Sequence, residues 1–361
     1  MSFSEFIASR RTEATRKNYQ WGVKYVVGDP DKFLKLAMDD RKRAESQIIN
    51  TIIKERDRVA SSTIRGPVSG VKSFLDYCEA SLNWKKINST LPAPKKVAND
   101  EAPSVEEIRA LLSVAELRER VVTLVLASSG MRVGGFEDMK FKHLEVMRSG
   151  VGRITVYRGD PAEYNAFISP EAVQAVKAYE TSRKDQAEEN ITPESFLIRD
   201  KWQFENRRTR LDPSIAKAVS TKSIQNTINQ LWVKAGVRTF ISRQNGNGYA
   251  RQAFQNVHGF RKFFETQALR SGIGMEYVEC FKGDKTHYHR PRDILLEKYL
   301  KAMPYLTISE SHQLRYEVRE ENQLLKDRLL ELEKEVHMWK YTIGKMIHPE
   351  KNGPGITLKE T

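Results

Sequence analysis

Cysteine is nearly absent: Cys78 and Cys280 are the two thiols in 361 residues, and neither has a Cys or His neighbour at zinc-ligand spacing. A disulfide scaffold and a zinc module are therefore excluded, and both thiols are expected to be isolated side chains. No run of about 18 or more apolar residues is present, and the amino terminus lacks the basic, apolar and small-residue order of a secretory signal. These absences predict a soluble protein of the cytoplasm with no membrane partner. No metal-ligand cluster is visible either, so the expected chemistry uses no metal or other cofactor. What the chain does have is positive charge. Sixty Lys and Arg against 47 Asp and Glu leave a net charge of +13, which favours a polyanionic partner through counterion release.

Hydrophobic spacing divides the chain into segments. Residues 1–90 read as a helical domain: Phe3, Phe6 and Ile7, then Tyr19, Val23 and Val26, recur at helical spacing, with Arg10, Arg11, Arg16, Lys17 and Lys24 on the remaining faces. Ile64, Val68, Val71, Leu75 and Cys78 give a second helix, with Ser62 as its cap and Pro67 near its start. Residues 91–103 hold three prolines among polar residues without periodicity and read as an extended linker.

A second domain is expected over 104–308. Ser104 and Glu107 have capping-box spacing ahead of Ile108, Leu111 and Leu112, and Val121 to Leu126 reads as a helix buried on most sides and ended by Gly130. Between 153 and 168 two short apolar segments flank Gly159, Asp160 and Pro161, predicting a hairpin. Ser169 and Pro170 then open a helix through Val173, Val176 and Tyr179. Further helices are predicted at about 221–236, 258–271 and 292–303. The fold class is mainly α with a small β-sheet, an α+β catalytic domain following a helical amino-terminal domain.

Residues 309–345 carry a heptad pattern. Val318, Asn322, Leu325, Leu329, Leu332, Val336, Trp339 and Ile343 alternate steps of four and three, with Asn322, Leu329, Val336 and Ile343 at a positions. Against a parallel partner, Glu321 faces Lys326, Arg328 faces Glu333 and Glu335 faces Lys340. The pattern predicts a short parallel coiled coil joining a homodimer, the other reading being one amphipathic helix folded back on its own domain. Residues 346–361, with Pro349, Gly353, Pro354 and Gly355, read as a flexible tail.

Four residues suggest chemistry on a phosphodiester. Its pentavalent transition state is dianionic, and two guanidinium forks, Arg132 and Arg261, suit its non-bridging oxygens. His258 stands one helical turn before Arg261 and is suited to proton transfer near pH 7. Tyr288 is a candidate nucleophile, because a phosphotyrosine ester keeps the bond energy needed to rejoin the strand.

In that order, these motifs resemble the tyrosine recombinases, or phage-integrase family, most closely their archaeal branch, over about residues 5–308. Ser128-Ser129-Gly130-Met131-Arg132-Val133-Gly134-Gly135-Phe136-Glu137-Asp138-Met139 is similar to the family's first arginine box, and His258-Gly259-Phe260-Arg261-Lys262-Phe263-Phe264-Glu265-Thr266 to the second. His287-Tyr288-His289-Arg290-Pro291, followed by Leu296 to Ala302, resembles the nucleophile segment and the helix after it.

The resemblance implies a clamp of two domains around double-stranded DNA and a tetramer on paired sites. It also implies strand cleavage and joining through a 3′-phosphotyrosine intermediate, without metal or ATP, by a nucleoid-associated enzyme. Residues expected to touch DNA are Arg16, Lys17, Arg207, Arg208, Arg210 and Lys262. Three positions depart from the family pattern. Asp284 replaces the second family histidine, and a carboxylate there would repel phosphate. The distance to the tyrosine is about four residues shorter than usual, and the family's frequent tyrosine pair reads Tyr288-His289. The lysine that usually protonates the leaving 5′ oxygen aligns with Arg158, and arginine holds its proton too tightly to be a good acid. One expectation is therefore an active enzyme in which Lys285, His287 or His289 supplies the missing donor. The other is a DNA-binding or synapsis protein of the same fold that has lost cleavage. Tyr299 is the fallback nucleophile, although its apolar neighbours predict a packed position.

Overall fold

The computed structural model describes residues 1–59, 61–93, 101–187, 190–200, 218–238, 256–284 and 290–347. Its contacts divide the chain into two compact units, a first spanning Met1–Asp100 and a second beginning at Glu101.

The first unit is helical throughout its described residues: α1 (Phe3–Ala8), α2 (Glu13–Val27), α3 (Pro30–Asp39), α4 (Arg41–Glu55), α5 (Ser61–Tyr77) and α6 (Trp84–Ser89). Local sequence sets these starts. Ser2 and Glu5 form a reciprocal capping box, and the side chains of Thr12, Asp29, Asp40 and Asn83 each accept a backbone N–H in the first turn of α2, α3, α4 and α6. Phe6, Val23, Ile48, Ile52, Ile64, Val71, Phe74 and Leu75 fill the core. Pro67 is not at the start of its helix. α5 begins at Ser61, so the proline lies inside it. There it packs on α2 at Gly22, where an added Cβ would sit 3.2 Å from the Pro67 Cα. The helix lacks one backbone hydrogen bond at Pro67, and the ring packs on α2 there.

The ends of the expected linker are packed rather than extended. Leu91 lies against the first core, Arg65 donates to the Pro92 carbonyl at 2.7 Å, and Ala102 lies against the second core; residues 94–100 lie outside the described residues.

In the second unit, α7 (Val105–Ser113) opens with the expected Ser104–Glu107 capping box, and α8 (Leu117–Ser129) is buried along nearly its whole length. A three-stranded antiparallel sheet follows in the order β1 (Leu144–Val146), β2 (Gly152–Val156), β3 (Tyr164–Ile168). β2 and β3 are the predicted hairpin. β1 was not anticipated because it is three residues long and mostly exposed, giving no alternation to read. The remaining helices are α9 (Pro170–Ala187), α10 (Thr221–Lys234), α11 (His258–Arg270), α12 (Met275–Lys282), α13 (Arg292–Leu306) and α14 (Glu310–Ile347). Ser169 accepts the Ala172 N–H at the head of α9, while α13 runs three residues past its predicted end and contains Pro304. α8 contacts α9, α11 and β3, so the buried helix is the axis of this unit.

α14 leaves the second unit from a braced base. Glu171 accepts the N–H groups of Ile308 and Ser309 at 2.7 and 3.0 Å. Arg109 donates to the Ile308 carbonyl at 2.7 Å and to Gln313 at 2.7 Å. Beyond this base, Val318, Leu325, Leu329, Leu332, Val336, Trp339 and Ile343 are all exposed, so the stripe is not folded back on its own domain. Arg328 pairs with Glu331 of the same helix at 3.0 Å. Among the described residues no helix is long and apolar enough to cross a membrane.

Candidate active site

The two arginine boxes meet at the ends of three helices. Gly130 ends α8 in the left-handed conformation (φ +62°), and a side chain there would collide with Phe264 of α11. Ser129 holds the turn: its hydroxyl donates to the Val125 carbonyl at 2.6 Å and accepts the Met131 N–H at 3.2 Å. Arg132 emerges half-exposed at the head of a 3-10 turn, Val133–Phe136. On α11, Phe260, Phe263 and Phe264 are buried in the core, which fixes the opposite face carrying His258 and Arg261. His258 is exposed at the first position of the helix; Arg261 is buried.

Arg261 is fixed by backbone. One nitrogen donates to the Gly130 carbonyl at 2.8 Å and to the Lys282 carbonyl at 2.9 Å. Its other terminal nitrogen donates to Asp284 Oδ1 at 2.5 Å, and Arg132 donates to the same oxygen at 2.8 Å. The guanidinium groups of the two sequence motifs thus converge on one atom. Lys282, itself buried, is 3.4 Å from the other carboxylate oxygen of Asp284 and is paired with Glu265. Burial lowers the pKa of Arg261 below its ordinary value, against the pull of Asp284.

Two tyrosines of the hairpin border this cluster and were missed in the sequence. Burial pushes the Tyr164 phenol up to about 12, against the opposing field of Arg261, and its buried hydroxyl has no hydrogen-bond partner among the described residues. Tyr157 has φ +56° and a pKa raised by burial and lowered in part by Arg132 and Arg261. The two rings lie 6.3 Å apart. The available signal was their position flanking a predicted hairpin turn, and a hairpin alone does not say which side chains face a site.

The other candidates are placed unevenly. Arg158 is exposed at the hairpin turn with Glu163 at 3.9 Å, and its charge helps burial to lower the pKa of His143. Lys262 is half-buried next to Arg261 on α11. Arg16 donates to the Arg10 carbonyl at 2.9 Å, and Lys17 pairs with Glu13 at 2.6 Å, both on the surface of the first unit. Tyr299 is buried and donates to the Ser128 carbonyl at 2.8 Å. Lys285, His287, Tyr288, His289, Arg207, Arg208 and Arg210 lie outside the described residues.

Mainly helical, with a small antiparallel sheet and both arginine boxes at the ends of buried helices, the molecule has the fold of an integrase catalytic domain. Among solved structures it is similar to the XerH site-specific recombinase bound to palindromic difH substrate in a post-cleavage complex, with a TM-score of 0.53 at 12% identity over 80% of this chain and 76% of that one. It is also similar to a lambda integrase dimer bound to a COC′ core site, with a TM-score of 0.50 at 15% identity over 82% and 92% of the two chains. No protein-family model matches the chain, and no curated protein matches its sequence.

Proposed function

We propose that the protein is a site-specific DNA recombinase or integrase of the tyrosine class, cleaving and rejoining double-stranded DNA through a 3′-phosphotyrosine without metal or ATP. One observation carries this reading: Arg132 and Arg261, from motifs 129 positions apart, bond the same oxygen of Asp284 at 2.8 and 2.5 Å. A seat that presents two guanidinium groups to one anionic oxygen matches the demand of a phosphodiester passing through a dianionic transition state. In this reading Tyr288 attacks, His258 moves the proton, and Lys285, His287 or His289 assists the leaving oxygen. The two arginines are oxyanion donors, while Arg158 stands at the position of the family's lysine and is exposed, but is poorly suited to give up a proton.

The wider assignment follows the same lines. The resemblance of the motifs favours the archaeal branch, and the protein would act on nucleoid DNA in the cytoplasm. Residues 1–90 form a core-binding domain that carries Arg16 and Lys17, and residues 104–308 form the catalytic domain. The α14 stripe, with Asn322 in register, joins two copies, and two such pairs assemble on paired sites.

A second reading is favoured by a specific feature. By the resemblance, Asp284 stands where the family has a donor, and its carboxylate accepts from both arginines, as it would in a DNA-binding or synapsis protein that no longer cleaves. Incubating a nicked suicide duplex with wild type and Tyr288→Phe separates the two. A covalent protein–DNA adduct in wild type alone supports recombination, whereas binding without adduct in both supports the second reading.

A further inference from the structure

We infer that Asp284 is a built-in competitor of DNA phosphate: its carboxylate fills the seat between Arg132 and Arg261 and must be displaced before a phosphodiester binds there. This rests on reading the arginine pair as a phosphate seat, and adds to it how that seat is kept when no DNA is bound.

Three observations carry the inference. First, a single carboxylate oxygen receives both guanidinium groups, the demand that a non-bridging phosphate oxygen would make. Second, the buried half of the seat is fixed. Arg261 is held by the carbonyls of Gly130 and Lys282, so the edge of its fork that bonds Asp284 is the edge that an incoming anion must use. Third, the placement of Asp284 is specified by the chain. α12 ends in a paired-bond cap in which the Asp284 N–H bonds the Glu279 carbonyl at 3.0 Å and the Gly283 N–H bonds the Cys280 carbonyl at 3.1 Å. Gly283 takes φ +68°, and the ring of Tyr164 fills the space that any side chain at 283 would need.

Charge counting agrees. Arg132, Arg261 and Lys282 bring three positive charges, and Asp284 and Glu265 two negative ones, leaving +1 in the cluster. Neutralising Asp284 raises this to +2 and removes the anion that a phosphate would have to meet. The carboxylate therefore weakens binding of any oxyanion at the seat, DNA included.

The test uses inorganic sulfate as the probe on the full chain, at constant ionic strength set with chloride. Sulfate affinity is read from the shift of Tm with concentration for wild type, Asp284→Asn and the double variant Arg132→Ala/Asp284→Asn. Asp284→Asn is expected to bind sulfate about tenfold more tightly than wild type, and the added Arg132→Ala to remove that gain. Equal or weaker sulfate binding by Asp284→Asn overturns the inference, and a merely structural Asp284 would lower Tm without any gain in affinity. The wild type supplies a second measurement should the variant not fold: carbodiimide labelling of Asp284 is expected to accelerate in saturating sulfate, and an unchanged rate counts against displacement. Adduct formation on the nicked duplex is read separately. Its absence in both wild type and Asp284→Asn would end the recombinase reading while leaving the sulfate result standing.

Discussion

The hydroxyl of Tyr299 donates to the carbonyl of Ser128 at 2.8 Å, in the last turn of the buried helix that ends just before Arg132. With its ring against Phe167 and Phe281, this tyrosine is part of the core beneath the site. Tyr299→Phe is expected to cost about 1 kcal/mol in denaturant unfolding, the worth of one buried hydrogen bond. Adduct formation on a nicked duplex should persist in this variant and vanish in Tyr288→Phe. The reverse pattern would move the nucleophile to Tyr299.

The two arginines should separate by readout. Arg132 is half-exposed and bonds Asp284 and the Gly283 carbonyl, so Arg132→Ala is expected to leave stability nearly unchanged while lowering the adduct rate by about 10² to 10³. Arg261 is buried and also satisfies two carbonyls. Its replacement by Ala is expected to cost about 2–3 kcal/mol of folding stability besides activity. Matching unfolding midpoints for the two variants would show that Arg261 is not a structural brace.

Alkaline pH tests the buried phenol. The folded pKa of Tyr164 is about 12 against 10 for an ordinary phenol, so the folded state holds this proton more tightly than the unfolded state. The corresponding stability is complete below pH 10 and is lost as pH rises to 12, by about 1.4 kcal/mol per unit. Tyr164→Phe should therefore lose less stability than wild type across that window and differ little from it at pH 7, since the hydroxyl has no partner among the described residues to forfeit. Parallel alkaline limbs in urea titrations would refute this.

Salt dependence tests the first unit. Arg16→Ala and Lys17→Ala are each expected to weaken DNA binding uniformly across sequences and to reduce the salt slope by about one. Because Lys17 is already paired with Glu13, its effect should be the smaller of the two, and Glu13→Gln should strengthen binding. A slope indifferent to all three substitutions would put this face away from DNA.

The α14 stripe makes a mass prediction. Leu329 and Val336 are more than half exposed, so replacing both with Asp removes little from the fold of one chain. Sedimentation of the full chain should show a dimer in wild type and a monomer in Leu329→Asp/Val336→Asp. Equal masses would leave the stripe without a partner copy.

The sequence reading succeeded where a local rule was sufficient. Capping at Ser104 and Ser169, the left-handed stop at Gly130, the β2–β3 hairpin and the buried register of α5 are each set by a few neighbouring residues. Pro67 was misplaced because its tolerance depends on Gly22, 45 positions earlier in the chain. The site was half readable for the same reason. Arg132, His258 and Arg261 announce themselves by motif, and the sign of Asp284 says that it opposes phosphate, but the sequence does not say that this carboxylate accepts from both arginines. A residue's sign shows what it opposes in isolation; only the packed chain shows what already neutralises it. Tyr164 escapes notice because strand pairing decides which way a hairpin presents its side chains, and Tyr157 because it leaves β2 at φ +56°, a turn that the sequence does not announce.

Arg109 and Glu171, from two different helices, grip the residues that lead into α14, so this helix of 38 residues, about 57 Å long, is a spar with a fixed root and not a tether. Whatever grasps its outer end also sets the heading of the second unit at its root, and Glu171→Ala would remove one of the two clasps there without touching the surface being grasped.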